Sequence, residues 1–323
     1  MMPKTASTIE EPVLILVGPT AIGKTALSLE IAERVQCEIV SMDSMQVYRY
    51  MDIGTAKASR EERQQVSHHL IDIVAPDEQY DAARFACDAR KVIKNIHARG
   101  KIPLVTGGTG LYLSSLLNGL FDAFEVSPDV RATLRRRLDE EGRAVLHAEL
   151  CAVDPASGRR IHINDTQRLL RALEIYQATG IPWSEHLHRQ RQTAGCPLFA
   201  RMLLLGLTSD RELLYERIHQ RSVHMMSDAF AAEVAWLVAQ GYGADLPSMQ
   251  SIGYRHMLGC MNGTWDHETA TTALIRETRR YAKRQLTWFR HQQQVQWHPV
   301  HAPHEIFAAI DNFLQQTTAK PTV

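Results

Sequence analysis

Residues 18–25 read GPTAIGKT, a G-x-x-x-x-G-K-[ST] sequence, and that pattern constrains its flanks as tightly as its own residues. A strand must deliver the loop and a helix must leave it. The apolar run Val13 to Val17 enters it, and Leu27, Ile31 and Val35 recur at four-residue spacing after it, so the segment reads strand, loop, helix. Backbone N–H groups of the loop and of the helix start would face an anion. Lys24 would add a positive charge and the Thr25 hydroxyl would help hold Mg²⁺. A phosphate cradle does not by itself specify a nucleoside triphosphate.

At 323 residues the chain suffices for one large domain, or a main domain with a smaller one. Acidic and basic side chains number 36 each, so no global field announces a nucleic-acid partner and any basic surface must be local. Cys37, Cys87, Cys151, Cys196 and Cys260 are odd in number and scattered, which argues against a disulfide framework or a cysteine zinc site and for a reducing cytoplasm. The early apolar run is too short for a membrane span and follows Glu10 and Glu11 rather than a basic segment, so neither a membrane anchor nor a signal peptide is expected. Residues 1–11 read as a loose tail.

Strands alternate with helices over the first hundred or so residues. CEIVSMD (37–43), HHLIDIV (68–74) and KIPLVTGGTG (101–110) read as strands, the last running into a glycine-rich turn, and 81–98 as a helix. This βαβαβ order predicts an α/β fold with a parallel sheet and ligands at the carboxyl ends of its strands, where the loop, Asp43 and Thr109 would meet. After residue 121 charged helices follow at 128–140, 142–151 and 165–178, the last capped by Asn164 or Asp165 and stopped by Gly180. A strand at 201–208 resumes the sheet. The expected organisation is a core of residues 1–120 with 200–323, flanked by helices and interrupted by a helical insertion, 121–199. Ser209 and Glu212 read as a capping box for the next helix.

Asp43 follows a strand directly, and its position leaves open three roles: general base, cap of the next segment, or ligand to Mg²⁺. Arg217 and Arg221 share a helix face, an arrangement that suits a diphosphate if that face meets the cleft and is otherwise solvated surface. In 274–290, at about 100° per residue, Leu274, Ile275, Tyr281, Ala282, Trp288 and Phe289 gather on one side, and Arg276, Arg279, Arg280, Lys283 and Arg290 on the other. The second group is either a track for a phosphodiester backbone or the wet side of an amphipathic helix. Gln167, Arg168 and Arg171 share a face in the insertion. His68 and His69 lack metal-ligand spacing and read as structural, as does Met225–Met226 as packing.

Taken together, GPTAIGKT, SMDSMQVYRYMDIGTAK, HHLIDI, IPLVTGGTGLYL, NDTQRLLRALE, SIGYRHM and KRQLTWFR stand in the order and approximate spacing of the bacterial tRNA dimethylallyltransferases, or tRNA isopentenyltransferases, which the chain resembles over nearly its whole length. Ile22 inside the loop and Gly110 after GGT depart from the family pattern without removing a needed chemical group. The zinc finger of eukaryotic relatives has no counterpart, as in a bacterial form.

The resemblance implies transfer of a dimethylallyl group from dimethylallyl diphosphate to the N6 amine of the adenine immediately 3′ of the anticodon in tRNA. It implies a diphosphate held by Gly18, Pro19, Thr20, Ala21, Ile22, Gly23, Lys24, Thr25 and Arg221, with Mg²⁺ at Thr25. Asp43 would act as base, Thr20 would lie near the reacting groups, and Arg221 would stabilise the leaving charge. The implied tRNA side comprises Asp43, Ser44, Met45, Gln46, Thr109, Arg131, Gln167, Arg168, Leu169, Leu170 and Arg171. It continues with Gln250, Ser251, Ile252, Gly253, Tyr254, Arg255, Lys283, Arg284, Gln285, Leu286, Thr287, Trp288, Phe289 and Arg290. The expected partners are the tRNA anticodon stem-loop and dimethylallyl diphosphate, and the expected state is a cytoplasmic monomer. A P-loop small-molecule kinase, an isopentenyltransferase acting on free adenine nucleotides and a nucleotide-switched RNA-binding protein remain alternatives from the residues alone. The first leaves the basic helix unexplained, the second needs no extended track, and the third leaves Asp43 without a task.

Overall fold

The computed structural model describes residues 8–119, 126–193 and 198–318. Two compact units divide the chain, one running to Leu117 and resuming at Leu198, the other spanning Asn118–Pro197, against sequence-expected insertion limits of 121 and 199.

In the first unit six strands, β1 (Val13–Val17), β2 (Cys37–Met42), β3 (His68–His69), β4 (Ile102–Gly107), β5 (Met202–Thr208) and β6 (Gln296–Pro299), pair in parallel in the order β3-β2-β4-β1-β5-β6. The central strand β1 explains its own unbroken apolar run. Val13, Ile15 and Val17 face one core while Leu14 and Leu16 face the other, because successive side chains of a strand point to opposite sides and a parallel sheet is covered on both. The helices of this unit are α1 (Lys24–Val35), α2 (Arg60–Gln65), α3 (Ala82–Ala98) and α4 (Gly110–Asn118), followed after the second unit by α10 (Arg211–Met225), α11 (Asp228–Ala239), α12 (Tyr254–Met261), α13 (His267–Arg290) and α14 (Pro303–Thr318). Leu27 and Ile31 of α1, Leu214 and Ile218 of α10, and Ile306 and Ile310 of α14 cover one side of the sheet. Phe85 and Ile93 of α3, Phe230 of α11 and Phe289 of α13 cover the other.

The second unit is helical: α5 (Pro128–Glu141), α6 (Arg143–Val153), α7 (Pro155–Arg160), α8 (Thr166–Thr179) and α9 (Trp183–Thr193). Its own core comprises Leu134, Leu146, Leu150, Ile161, Leu169 and Leu173. Asp165 caps α8 by accepting from the Arg168 N–H at 3.2 Å, and Gly180 ends it with a positive φ. Buried Asp154 accepts from the N–H groups of Ser157 and Ser184 at 2.9 and 2.8 Å, tying the starts of α7 and α9 together.

Three expectations need correction. Only His68–His69 of the segment 68–74 is strand; Leu70 and Asp72 then take positive φ, with the Asp72 carboxylate held at 2.6 Å by both Lys57 and Arg63. The expected Ser209/Glu212 box is absent, because Asp210 is the cap position of α10 and Ser209 Oγ instead donates to the Asp210 carbonyl. Residues 1–11 are not all tail: Ile9 is buried and its backbone bonds Leu198 and Ala200 at 2.8 and 2.9 Å, while residues 1–7 lie outside the described ones. The glycine-rich turn expected after β4 is short, Gly108 and Thr109, and α4 starts at Gly110, where a Cβ would come within 2.3 Å of the Trp288 ring. That contact accounts for the glycine. Cys37, Cys87, Cys151 and Cys260 are free thiols, and Cys196 lies outside the described residues. Among the described residues no helix is long and apolar enough to cross a membrane.

Candidate active site

At the carboxyl edge of the sheet, the ends of β1, β2 and β4 open onto one cavity of about 560 Å³, lined entirely by the first unit. From β1 comes the loop. Gly23, at φ 108°, is the cap position of α1 and supplies no side chain to it, so the first N–H groups of that helix are left to a ligand. Lys24 Nζ meanwhile donates to the Gly18 and Pro19 carbonyls at 2.9 and 2.8 Å. Burial lowers its pKa to about 8, with the charge of Asp43 opposing the drop and that of Arg221 adding to it.

From β2 comes Asp43. Its Oδ1 accepts from the N–H groups of Met45 and Gln46 at 2.8 and 3.3 Å, which fixes the carboxylate in a local turn of the backbone. Its Oδ2 receives no hydrogen bond from the described residues. Asp43 therefore caps the backbone through Oδ1 and is also a residue of the cavity lining. From β4 come Thr106, Gly107 and Gly108, and just beyond them Thr109 Oγ1 accepts from the Ser44 N–H at 3.1 Å, linking the β4 and β2 edges.

Helix α10 contributes two arginines with different tasks. Arg221 lines the cavity; burial lowers its pKa, opposed by Asp43, and a guanidinium there remains a cation. Arg217 instead donates to the Ile22 carbonyl at 2.8 Å, so it braces the loop from behind. Of the pair that shares a face, only Arg221 belongs to the cavity lining.

Helix α13 holds the loop from the other side. Gln285 is buried; its Oε1 accepts from the Thr20 N–H at 2.9 Å and its Nε2 donates to the Gly108 carbonyl at 2.9 Å. One amide thus joins the phosphate loop to the end of β4. Thr278, Tyr281 and Arg284 line the cavity beside it. Burial, and then the charge of Asp43, raises the Tyr281 phenol well above its ordinary pKa, so it is a neutral hydroxyl in the site.

The cavity gathers Thr20, Ala21, Ile22, Gly23, Lys24, Thr25, Asp43, Ser44, Met45, Gln46, Arg221, Ser251, Ile252, Arg255, Arg284 and Gln285 from the sequence-expected set. The rest stand elsewhere. Tyr254 and Phe289 in the first unit and Leu169 in the second are wholly buried, so in this structure their side chains belong to the cores rather than to the surface. Leu170 packs beside Leu169, and Leu286 and Trp288 against the cores of the first unit. Gln250, Thr287, Lys283 and Arg290 are exposed. In the second unit Gln167 and Arg168 are exposed; Arg168 pairs with Asp165 at 3.1 Å, while Arg131 and Arg171 both meet Glu174, at 3.8 and 3.1 Å. Thr278 and Tyr281 escaped sequence reasoning as cavity residues. Their signal was angular: with Gln285 they lie on the side of α13 opposite Arg276, Arg279, Arg280 and Lys283.

The family model described as "IPP transferase" matches residues 46–292. A tRNA dimethylallyltransferase of Desulfotalea psychrophila is 51% identical over 97% of this chain and 98% of its own length. The chain belongs to the tRNA dimethylallyltransferase family. A crystal structure of the full-length tRNA isopentenylpyrophosphate transferase from Bacillus halodurans is 38% identical, with a TM-score of 0.69 over 95% of this chain and 98% of that one. A eukaryotic dimethylallyltransferase, solved in crystallographic snapshots of its action on tRNA, is 27% identical with a TM-score of 0.79, covering 95% of this chain and 80% of that one. Membership of the dimethylallyltransferase family ranks the P-loop kinase reading below the prenyl transfer reading for the same loop.

Proposed function

We propose that the chain transfers a dimethylallyl group from dimethylallyl diphosphate to the N6 amine of the adenine immediately 3′ of the anticodon in tRNA. The observation that carries this reading is the placement of Asp43, with one carboxylate oxygen engaged by backbone and the other without a protein donor, in the cavity that also holds the phosphate loop and Arg221. In the reaction the C–O bond between the allylic carbon and the diphosphate breaks and a C–N bond to N6 forms. The amine proton passes to Asp43 Oδ2, and diphosphate leaves.

Each residue has work in that scheme. Gly18 to Thr25 present backbone N–H groups to the diphosphate, and Lys24 and Arg221 offset the charge that grows on it as the C–O bond opens. Gln285 holds the Thr20 end of the loop in place. Ile39, Ala58, Ile71, Met225, Ile252 and Leu274 give the cavity apolar wall, which a five-carbon tail needs and a phosphoryl transfer does not. Exclusion of water by that wall also protects an electron-poor allylic carbon from hydrolysis. The cation expected here is Mg²⁺. Mg²⁺ takes few protein ligands and completes its shell with phosphate oxygens and water. Thr25, at the first turn of α1 and in the cavity lining, would supply its hydroxyl, and the ion would neutralise part of the diphosphate charge.

The test is the single-turnover rate of Asp43→Asn with both substrates bound. Transfer is expected to slow by about 10²- to 10⁴-fold while tRNA and prenyl diphosphate affinities hold. A rate within roughly tenfold of wild type, below the usual range for a lost general base, would reduce Asp43 to its backbone-capping role.

A further inference from the structure

Helix α13 has two polar faces, and only one belongs to the catalytic cavity. At about 100° per residue, Gln285 stands about 180° from Arg276, with Thr278 and Tyr281 near it. Arg279, Arg280 and Lys283 lie within about 60° of Arg276 on the far side. There they line a second cavity of about 470 Å³ with Thr272 and Ile275 of the same helix and with Tyr215 and His219 of α10.

This groove is built for negative charge. Stretch 274–290 contains a single acidic residue, Glu277, and its carboxylate is engaged by Arg255 and His256. None of the four cations has an ion-pair partner among the described residues. Tyr215 orients part of the set, its ring centroid lying 5.0 Å from the Arg279 guanidinium and 4.9 Å from that of Arg211. Arg279 Nε is buried with no hydrogen-bond partner, a donor left without an acceptor. In a chain with 36 basic and 36 acidic side chains, four cations gathered around one concavity without ion-pair partners among the described residues suit an anion.

We propose that this groove binds phosphodiester groups of the RNA substrate, as a site separate from the one where the base reacts. The inference rests on the reading that the substrate is tRNA. From Arg276 to Lys283 the helix rises about 10 Å, room for about three successive phosphates of one strand along a duplex axis. A lone diphosphate would use only part of that length. Because α13, about 10–12 Å across with its side chains, lies between groove and cavity, the nucleotides held here are not the one being prenylated. The groove then serves affinity and register rather than chemistry.

The experiment compares wild type with an R276Q/R279Q/R280Q variant and an R276K/R279K/R280K variant. tRNA affinity is measured across a salt series, and inorganic diphosphate affinity by calorimetry. The Gln variant is expected to lose roughly tenfold or more in tRNA affinity at low salt, with the log–log salt slope reduced by about two to three units. KM for tRNA should rise while KM for dimethylallyl diphosphate stays put, and the Lys variant should keep most of the salt slope, which mere misfolding of the groove would not allow. Wild-type affinity and slope in the Gln variant would overturn the proposal. So would a diphosphate equivalent bound by wild type and lost in that variant, since the groove would then take free diphosphate. Prenyl transfer by wild type is followed in parallel: if it occurs and the Gln variant still binds tRNA normally, only the groove assignment fails, whereas its absence removes the tRNA reading on which the groove depends.

Discussion

Lys24 shows what single-residue chemistry adds to a motif. The pattern G-x-x-x-x-G-K-[ST] names the lysine, but only the fold shows its ammonium turned onto the Gly18 and Pro19 carbonyls and its pKa lowered to about 8 by burial. The ligand-free lysine is therefore charged below pH 8 and loses its proton as pH rises through that value. On the proposed function the charged form is the one that binds diphosphate, so affinity should be level below pH 8 and then fall toward about tenfold per pH unit. Lys24→Arg stays charged throughout, and dividing its affinity profile into that of wild type removes the titration of the diphosphate itself. Calorimetry with inorganic diphosphate and Mg²⁺ between pH 7 and 10 checks the ratio; a flat ratio would mean that Lys24 keeps its proton without the ligand. Asp43 was legible as a residue at a strand end, with its roles undivided. Only the geometry shows its Oδ1 held by backbone N–H groups in a residue that also lines the cavity.

At the scale of elements, α13 was legible as a two-sided helix because its period is regular over many turns. The sides themselves were only partly legible. Apolar residues and arginines separate cleanly by angle, yet Gln285 sits on the inner side as a polar residue among core positions, and its partners, Thr20 and Gly108, are 265 and 177 residues away in sequence. No local pattern encodes such a pairing. Gln285→Leu would leave the Thr20 N–H and the Gly108 carbonyl without this partner, a loss of about 1–3 kcal/mol for each group left buried and unmatched. The expected result is a lower melting temperature together with weaker dimethylallyl diphosphate binding, since the loop is no longer pinned. Gln285→Glu should recover less than size alone predicts, because a carboxylate accepts from Thr20 but cannot donate to Gly108. Full diphosphate affinity in the Leu variant would make Gln285 a packing residue only. The short strand β3 and the uncapped start of α10 were misread for a related reason. Their limits depend on the Lys57 and Arg63 contacts to Asp72 and on a one-residue shift of the cap position.

Over the whole molecule, the alternation of strands and helices was enough to specify a parallel sheet with its site at the carboxyl edge, because crossover geometry leaves few other arrangements. The order of the strands was not, and neither was β6, whose four residues pair with β5 but carry little pattern of their own. The cavity draws residues from position 20 to position 285, so its full composition is a property of the fold. On the proposed function this cavity transfers a prenyl group from its diphosphate to an adenine amine, with the phosphate loop holding the leaving diphosphate rather than a nucleoside triphosphate. The most direct measurement is the intact mass of an unmodified anticodon stem-loop RNA, carrying adenine at the position 3′ of the anticodon, after incubation with the protein, Mg²⁺ and dimethylallyl diphosphate in the absence of ATP. The expected mass shows one added five-carbon unit, and none when that adenine is replaced by guanine. An RNA of unchanged mass, with ATP hydrolysed or its γ-phosphate moved to a small molecule when ATP is supplied instead, would contradict it.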